Sequence, residues 1–388
     1  IKYSDINFEA NPKLIELIDE KIDQIYLDKS LSFIQSIIPK SDFKNLKIVF
    51  TSLHGTSYKL LPELLQKSGF NNLKLVDKQM IPDGNFTNVS SSNPENSESL
   101  SQAIELAKSN NSDIVIGTDP DADRFGIAVK NLENDFIHIN GNQSMVVITD
   151  YLIAKYKGVK KNSFIASTVV STPMMSKIAN KNNIPIMLSL TGFKWIGKMI
   201  NDFKESSFIC GGEESFGFLA GDFVRDKDAL TSSLIISEMC NEFKNRGSSF
   251  FESLINCYIK YGFYMEKLVT QTETGSEGTK KIKNKIDSLK KNPPNKLENS
   301  KTILIYDYEK SIVKNNLSGK LSKIELPKSN LIIFESADGT RVAIRPSGTE
   351  PKIKYYFSVN TKLNSKEDFS IKEDFLNKKI NLLIKQLI

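Results

Sequence analysis

At 388 residues, with 39% hydrophobic and 25% charged residues and a mean hydropathy of −0.28, the chain is long enough for two or three domains with a sizeable core. That composition excludes a disordered tail or a small disulfide scaffold, and no window approaches the ~18 consecutive apolar residues of a membrane span. The net charge of +6, from 52 basic and 46 acidic residues spread along the chain, suits solubility better than nucleic-acid binding.

The three cysteines, Cys210, Cys240 and Cys257, are odd in number and lack CxxC spacing. This argues against a zinc site or a disulfide framework and points to a reducing cytoplasm. Only five basic residues are arginines, namely Arg124, Arg225, Arg246, Arg341 and Arg345, against 47 lysines. In so lysine-biased a chain an arginine marks a position where a planar guanidinium fork is needed, as in gripping a phosphate or carboxylate. The chain starts at Ile1, with neither a signal-peptide nor a transit-peptide pattern, and is expected to be a fragment or a processed piece.

In chain order, a helical pattern at about 10–38 leads into a strand at 47–51. Helix 57–68, strand 73–76, helix 97–109 and strand 113–117 then alternate as βαβ units. After Asn140-Gly141 the alternation starts again, with helices 142–156, 173–182 and 193–203 between strands 163–167, 185–189 and 207–210, and a long helix around 226–246. From about 261 the grammar changes to strands YMEKLVTQ, TILIYDY, NLIIFES, RVAIRP and IKYYFSV with helices 276–290 and 366–386; KKNPPNKLENSK (290–301) reads as a solvated turn. The expected fold is α/β, with two consecutive βαβ-type mixed-sheet domains, 1–138 and 139–260, followed by an α+β C-terminal domain, 261–388.

Three loops carry chemistry. In IVIGTDPDADRFGIAV (114–129) an apolar strand ends at Gly117, and Asp119, Asp121 and Asp123 follow at alternate positions. Pro120 keeps its predecessor out of the α region, so an extended loop would point all three carboxylates the same way, a set suited to a hard cation. An EF-hand is excluded because Arg124 and Lys130 stand where Gly and Glu are required, and a haloacid-dehalogenase motif because its fifth position is Asp123. In CGGEESFGFLAGDFVRDKDAL (210–230), Glu213 and Ser215 can present an acceptor and a hydroxyl to vicinal sugar hydroxyls. Just beyond, Arg225 and Lys227 offer cations to an anionic ligand, although Arg-Asp-Lys-Asp could equally neutralise itself. In RVAIRPSGTEPKIKYYF (341–357), Arg345, Ser347, Gly348 and Thr349 have the ingredients of a phosphate nest. A shorter element, LTGFKWIG (190–197), puts Thr191 and Gly192 after a strand and Lys194 in a first helical turn; Trp195 reads as core, and His54 and His138 as structural.

Taken together and in this order, LHGTS, TDPDADR, NGNQ, STPMMSKIA, TGFKWIG, GGEESFGF, VRDKD and RPSGTEPKIKYY resemble the α-D-phosphohexomutases, the family of phosphoglucomutases and phosphomannomutases, over essentially the whole chain. TGFKWIG, VRDKD and SGTEPKIKYY look most like the phosphoglucomutase branch that also holds phosphopentomutases.

The resemblance implies that Asp119, Asp121 and Asp123 hold Mg²⁺, and that Arg124, steadying the reactive phosphate, and Lys227 are the catalytic residues present. By the same resemblance Thr191, Gly192, Lys194, Glu213, Ser215 and Arg225 line the substrate site, while Arg345, Ser347, Gly348 and Thr349 clamp the non-reacting phosphate. The family's phosphoserine loop, a Thr-x-Ser-His-Asn-Pro-like segment, has no counterpart here, since no Ser-His-Asn occurs. What remains matches the family's second, third and fourth domains, so the chain alone is expected to be inactive as a mutase. The implied partners are a phosphosugar and a hexose bisphosphate. Glucose phosphate is expected over mannose or pentose phosphates, and a non-catalytic sugar-phosphate-binding protein is the alternative of a different class.

Overall fold

The computed structural model describes residues 13, 15–16, 18–38, 44–156, 162–347 and 351–388. Helix α1 (Glu20–Ile37) starts where the Asp19 carboxylate accepts the Lys21 N–H. The periodic pattern predicts a start near 10; most of that earlier stretch lies outside the described residues.

The first sheet contains β1 (Ile48–Thr51), β2 (Leu73–Leu75), β3 (Ile114–Thr118), β4 (Phe125–Lys130) and β5 (Phe136–Ile139) in the order β2-β1-β3-β4-β5, with α2 (Leu60–Lys67) and α3 (Ser101–Ser109) as connections. β1, β2 and β3 are parallel and β3, β4 and β5 antiparallel, so the sheet is mixed. The strands expected for this unit stop at β3, while the structure adds β4 and β5, and the hairpin that reverses the sheet is where the acidic loop sits.

Helix α4 (Gly141–Lys155) opens on a capping box in which Asn140 and Gln143 satisfy each other's N–H groups. It leads into the second sheet, β6 (Ser163–Thr168), β7 (Ile186–Ser189), β8 (Ser207–Gly212) and β9 (Phe218–Ala220), in the order β7-β6-β8-β9, with α5 (Met174–Lys181) and α6 (Lys194–Asp202) as its connections. The long helix is α7 (Ala229–Asn245), capped by Asp228. A further helix, α8 (Phe250–Tyr261), is absent from the expected elements, although its buried residues Phe250, Phe251, Leu254, Ile255, Cys257, Tyr258 and Tyr261 recur at helical spacing.

The third unit is antiparallel throughout. Its strands are β10 (Phe263–Thr272), β11 (Lys296–Leu297), β12 (Ser300–Asp307), β13 (Ile312–Asn315), β14 (Leu321–Lys323), β15 (Ile332–Ser336), β16 (Arg341–Pro346) and β17 (Lys352–Thr361). They order as β10-β17-β16-β15-β12-β13-β14, with β11 paired to β12. Helices α9 (Gly275–Lys291) and α10 (Phe369–Leu387) complete it. One continuous core joins all three units, from Leu27 and Phe50 through Met145, Ile165 and Leu234 to Phe263, Tyr355 and Leu383.

The 290–301 segment is not a solvated turn. Lys296–Leu297 pairs with Lys301–Ser300 in a tight hairpin, and Leu297 is fully buried. Its single leucine, set among polar residues, gives no periodic signal. Leu297→Ala should therefore lower unfolding stability by about 2–4 kcal/mol in urea denaturation, as core truncations do; a loss below about 0.5 kcal/mol would match a solvated turn instead.

Candidate active site at the meeting of the loops

Thr118 pairs with Phe125, so Asp119–Arg124 make the whole reversal between β3 and β4. The loop is a tight turn and not the extended segment expected from Pro120. Ala122 is left-handed (φ 60°), its N–H reaches the Asp119 carbonyl at 3.1 Å, and Asp119 Oδ1 accepts the amides of Asp123 (3.0 Å) and Arg124 (2.9 Å). The Ala122 N–H closes a β-turn on Asp119 that puts Pro120 at its favoured second position, so the chain reverses there instead of running on extended. Convergence survives by this different route, because one oxygen from each of Asp119, Asp121 and Asp123 lies within 4.8 Å of the others.

Neighbouring loops brace the turn. Thr56, in a short 3₁₀ turn after β1, donates its N–H (2.8 Å) and hydroxyl (3.1 Å) to the Pro120 carbonyl. Gly55 permits that approach, since a Cβ there would stand 2.5 Å from Pro120 Cα. On the other side Arg124 forms a β-bridge with Gly217, which joins the acidic loop to the Gly-Glu-Glu-Ser loop. The Ala229 N–H, at the start of α7, donates to the Ala122 carbonyl at 3.2 Å.

Two predicted cations meet these carboxylates. Lys227 Nζ lies 2.7 Å from Asp123 Oδ2 and 3.2 Å from Asp226, its stem packed on Gly217, where a Cβ would come within 2.4 Å of Lys227 Cδ. Arg124 Nε is 3.6 Å from Asp123 and 3.8 Å from Asp119, while Nη1 pairs with Glu95 at 3.2 Å. Glu213 is buried and accepts the Gly192 N–H at 2.7 Å, drawing the Thr191-Gly192 segment to the sugar-type loop. Ser215 faces a cavity of about 350 Å³.

The remaining expected residues are more dispersed. Lys194 is exposed, 5.4 Å from the Trp195 ring centroid, and Arg225 is exposed with Nε on the Asp222 carbonyl at 2.9 Å. Arg345 lies within β16, half-buried, and the Ser347 N–H closes the next hairpin on the Lys352 carbonyl at 2.7 Å. Gly348 and Thr349 lie outside the described residues. His54 and His138 bind the carbonyls of Ile81 and Pro94, both at 2.8 Å.

Two family models match the chain: phosphoglucomutase/phosphomannomutase alpha/beta/alpha domain II over residues 24–133 and domain III over residues 140–258. The chain belongs to the phosphoglucomutase/phosphomannomutase family. It is 38% identical over 352 residues to a phosphoglucomutase of Staphylococcus aureus and 37% identical over 348 residues to one of Staphylococcus epidermidis, covering 90% and 89% of its own length. It spans 63% of the length of each of these curated relatives. Among solved structures, parafusin, a phosphoglucomutase of Paramecium, aligns with TM-score 0.63 at 18% identity, over 95% of this chain and 62% of that one. A phosphoglucomutase/phosphomannomutase family protein of Burkholderia thailandensis aligns with TM-score 0.58 at 16% identity, over 95% and 71%. These structural likenesses speak for the shared phosphohexomutase fold.

Other residues that face the phosphohexomutase cleft were not singled out by sequence. Glu95, Glu266, Lys354 and Tyr356 line the cavity beside Ser215. Lys354 stands opposite Arg345 in the β16–β17 register, a placement that only strand pairing reveals. Glu95 lies just before the helix expected over 97–109; its pairing with Arg124 depends on how that segment folds back.

The acids of the cleft are strongly perturbed. Burial pushes Asp119 up to about 7, opposed by the Arg124 N–H and reinforced by Asp123 and Asp121. Burial likewise raises Glu213 to about 7, opposed by the Gly192 N–H, and Glu266 to about 7, opposed by the hydroxyls of Thr172 and Ser358. Such groups stay protonated when folded but ionise when unfolded, so each one erodes stability as pH rises from about 4.5 to 7. Glu213→Gln keeps an acceptor for Gly192 and removes one of these titrations. Urea unfolding at several pH values should show a shallower loss of stability across that range than in the parent; an unchanged slope would contradict the assignment.

Proposed function

We propose that this chain forms the substrate-binding and phosphoryl-positioning part of a phosphoglucomutase, which interconverts hexose 1-phosphate and 6-phosphate through a bisphosphate. The observation that carries the reading is the convergence of Asp119, Asp121 and Asp123 with Arg124 and Lys227 beside the Glu213–Ser215 loop. Asp123 Oδ1 and Arg124 Nε are buried, make no hydrogen bond and face each other across an ion pair of 3.6 Å. The donor set fits Mg²⁺, a hard oxygen-seeking cation, which Asp119, Asp121 and Asp123 would hold. When bound it would supply charge neutralisation at a phosphoryl group.

The protein's own residues then divide the work of phosphoryl transfer, which is chiefly positioning and neutralisation. Arg124 and Lys227 offset charge on the reacting phosphate. Glu213 and Ser215 hold sugar hydroxyls, and Thr191, Gly192, Lys194 and Arg225 border the sugar phosphate. Arg345, Ser347, Gly348 and Thr349 clamp the phosphate at the far end. A phosphoserine gives its phosphoryl group to the free hydroxyl of a sugar monophosphate, the bisphosphate turns round, and the other phosphate returns to the serine. No segment of the 388 residues matches the family's phosphoserine loop, so turnover needs a donor from outside them.

Glucose phosphates are the preferred substrates on the Gly-Glu-Glu-Ser loop and the branch resemblance. The three cysteines are free and buried, which fits a cytoplasmic protein, and no helix among the described residues is long and apolar enough to cross a membrane. Calorimetric titration should show glucose 1,6-bisphosphate binding to the chain in the presence of Mg²⁺. Arg345→Ala should weaken it at least about tenfold by loss of a charge-assisted fork, and glucose 1-phosphate should not be turned over. Absence of binding, or a strong preference for a mannose or pentose bisphosphate, would overturn the reading.

A further inference from the structure

The C-terminal helix α10 packs Phe369, Leu376, Ile380, Leu383 and Leu387 into the core. Its outer face carries large exposed apolar side chains: Ile371 is 71% exposed, Phe375 51% and Leu382 50%. At about 100° per residue, Asp368, Ile371, Phe375, Lys378, Leu382 and Lys385 fall on one stripe of roughly 100° width. Isolated exposed apolar residues are ordinary, but three in line on one helix form a contact strip.

The charges on this strip are segregated. Asp368 stands at its N-terminal end, where its carboxylate makes no cap hydrogen bond, and Lys378 and Lys385 occupy the C-terminal half. Their neighbours Lys366 and Lys379 are engaged, with Glu252 and Asp338. Asp368, Lys378 and Lys385 make no ion pair among the described residues.

From this pattern we infer that α10 is a self-association surface, and that its occupant is α10 of a second copy of this chain, packed antiparallel about a two-fold axis. With the axis between Leu376 and Asn377, Ile371 of one copy meets Leu382 of the other, Phe375 meets the stem and ammonium of Lys378, and Asp368 meets Lys385. Every contact occurs twice, as an isologous interface requires. The three pairings are respectively apolar, cation–π and ionic. A parallel pairing would instead set Lys385 against Lys385 and Asp368 against Asp368, and the like charges reject it. One helix face per copy buries less than the ~1,200 Å² typical of a stable interface, so the expected dimer is weak.

Sedimentation equilibrium of the 388-residue chain tests this from about 2 to 200 µM, the span in which a weak dimer would assemble. The weight-average mass should climb from 43.7 kDa towards twice that value. Ile371→Ser with Phe375→Ser should hold it at the monomer mass, and because both side chains are exposed, the melting temperature at low concentration should match the parent. Lys385→Asp should weaken association at least about fivefold by placing two acids together, and adding Asp368→Lys should recover it. A parent that stays monomeric at the highest concentration overturns the proposal. So does a dimer that persists in the Ile371/Phe375 variant, and failure of the charge exchange to recover association overturns the antiparallel register.

Discussion

Three carboxylates held on one six-residue turn are the constraint around which the rest of the cleft is arranged. For a partly buried pair such as Asp119 and Asp123, repulsion is of order 3 kcal/mol at an effective dielectric near 20. The turn is fixed from four directions: by the β3–β4 ladder, by Thr56 on Pro120, by the Arg124–Gly217 bridge and by the first amide of α7 on Ala122. Lys227 and Arg124 bring positive charge to Asp123, yet Asp119 still titrates near neutrality. Burial is the main cause of that shift and the neighbouring carboxylates add to it, so a cation bound there would favour the charged form.

The same demand explains how the helices meet. Asp228 follows Lys227 and caps α7 by accepting the amides of Leu230 (3.0 Å) and Thr231 (3.2 Å). The Tyr26 hydroxyl from α1 reaches both Asp228 oxygens at 2.8 Å. Tyr26 thus links the first helix to the residue next to a cation of the acidic loop. Further along α7, Glu238 is buried against Lys44 and accepts the Ser68 hydroxyl at 2.9 Å. A buried pair of this kind adds little net stability but penalises any packing that leaves one charge alone, so it fixes how α7 lies on the first unit.

Much of this was legible in the sequence where local chemistry decides structure. Alternating strands and helices, the restart after Asn140-Gly141 and the acidic loop follow from residue types at short range. Long-range pairing is where the sequence falls silent: β4 and β5 reverse the first sheet. Asp119, Asp121 and Asp123 converge as their spacing suggests, but through a left-handed Ala122 and backbone amides donated to Asp119, a geometry that Pro120 alone does not predict. Glu95 and Lys354 reach the cleft only through a folded-back segment and a strand register, and neither leaves a motif.

The central proposal is that the acidic turn binds a cation, and differential melting with and without Mg²⁺ tests it most directly. At Mg²⁺ ten times its dissociation constant, linkage predicts about 1.4 kcal/mol of added stability and a rise of a few degrees in Tm. Asp121→Asn should abolish that rise while leaving the metal-free protein as stable as the parent or slightly more so, because one of three repelling charges is gone. An Asn variant that still responds to Mg²⁺ like the parent, or that loses several degrees without metal, would contradict the account.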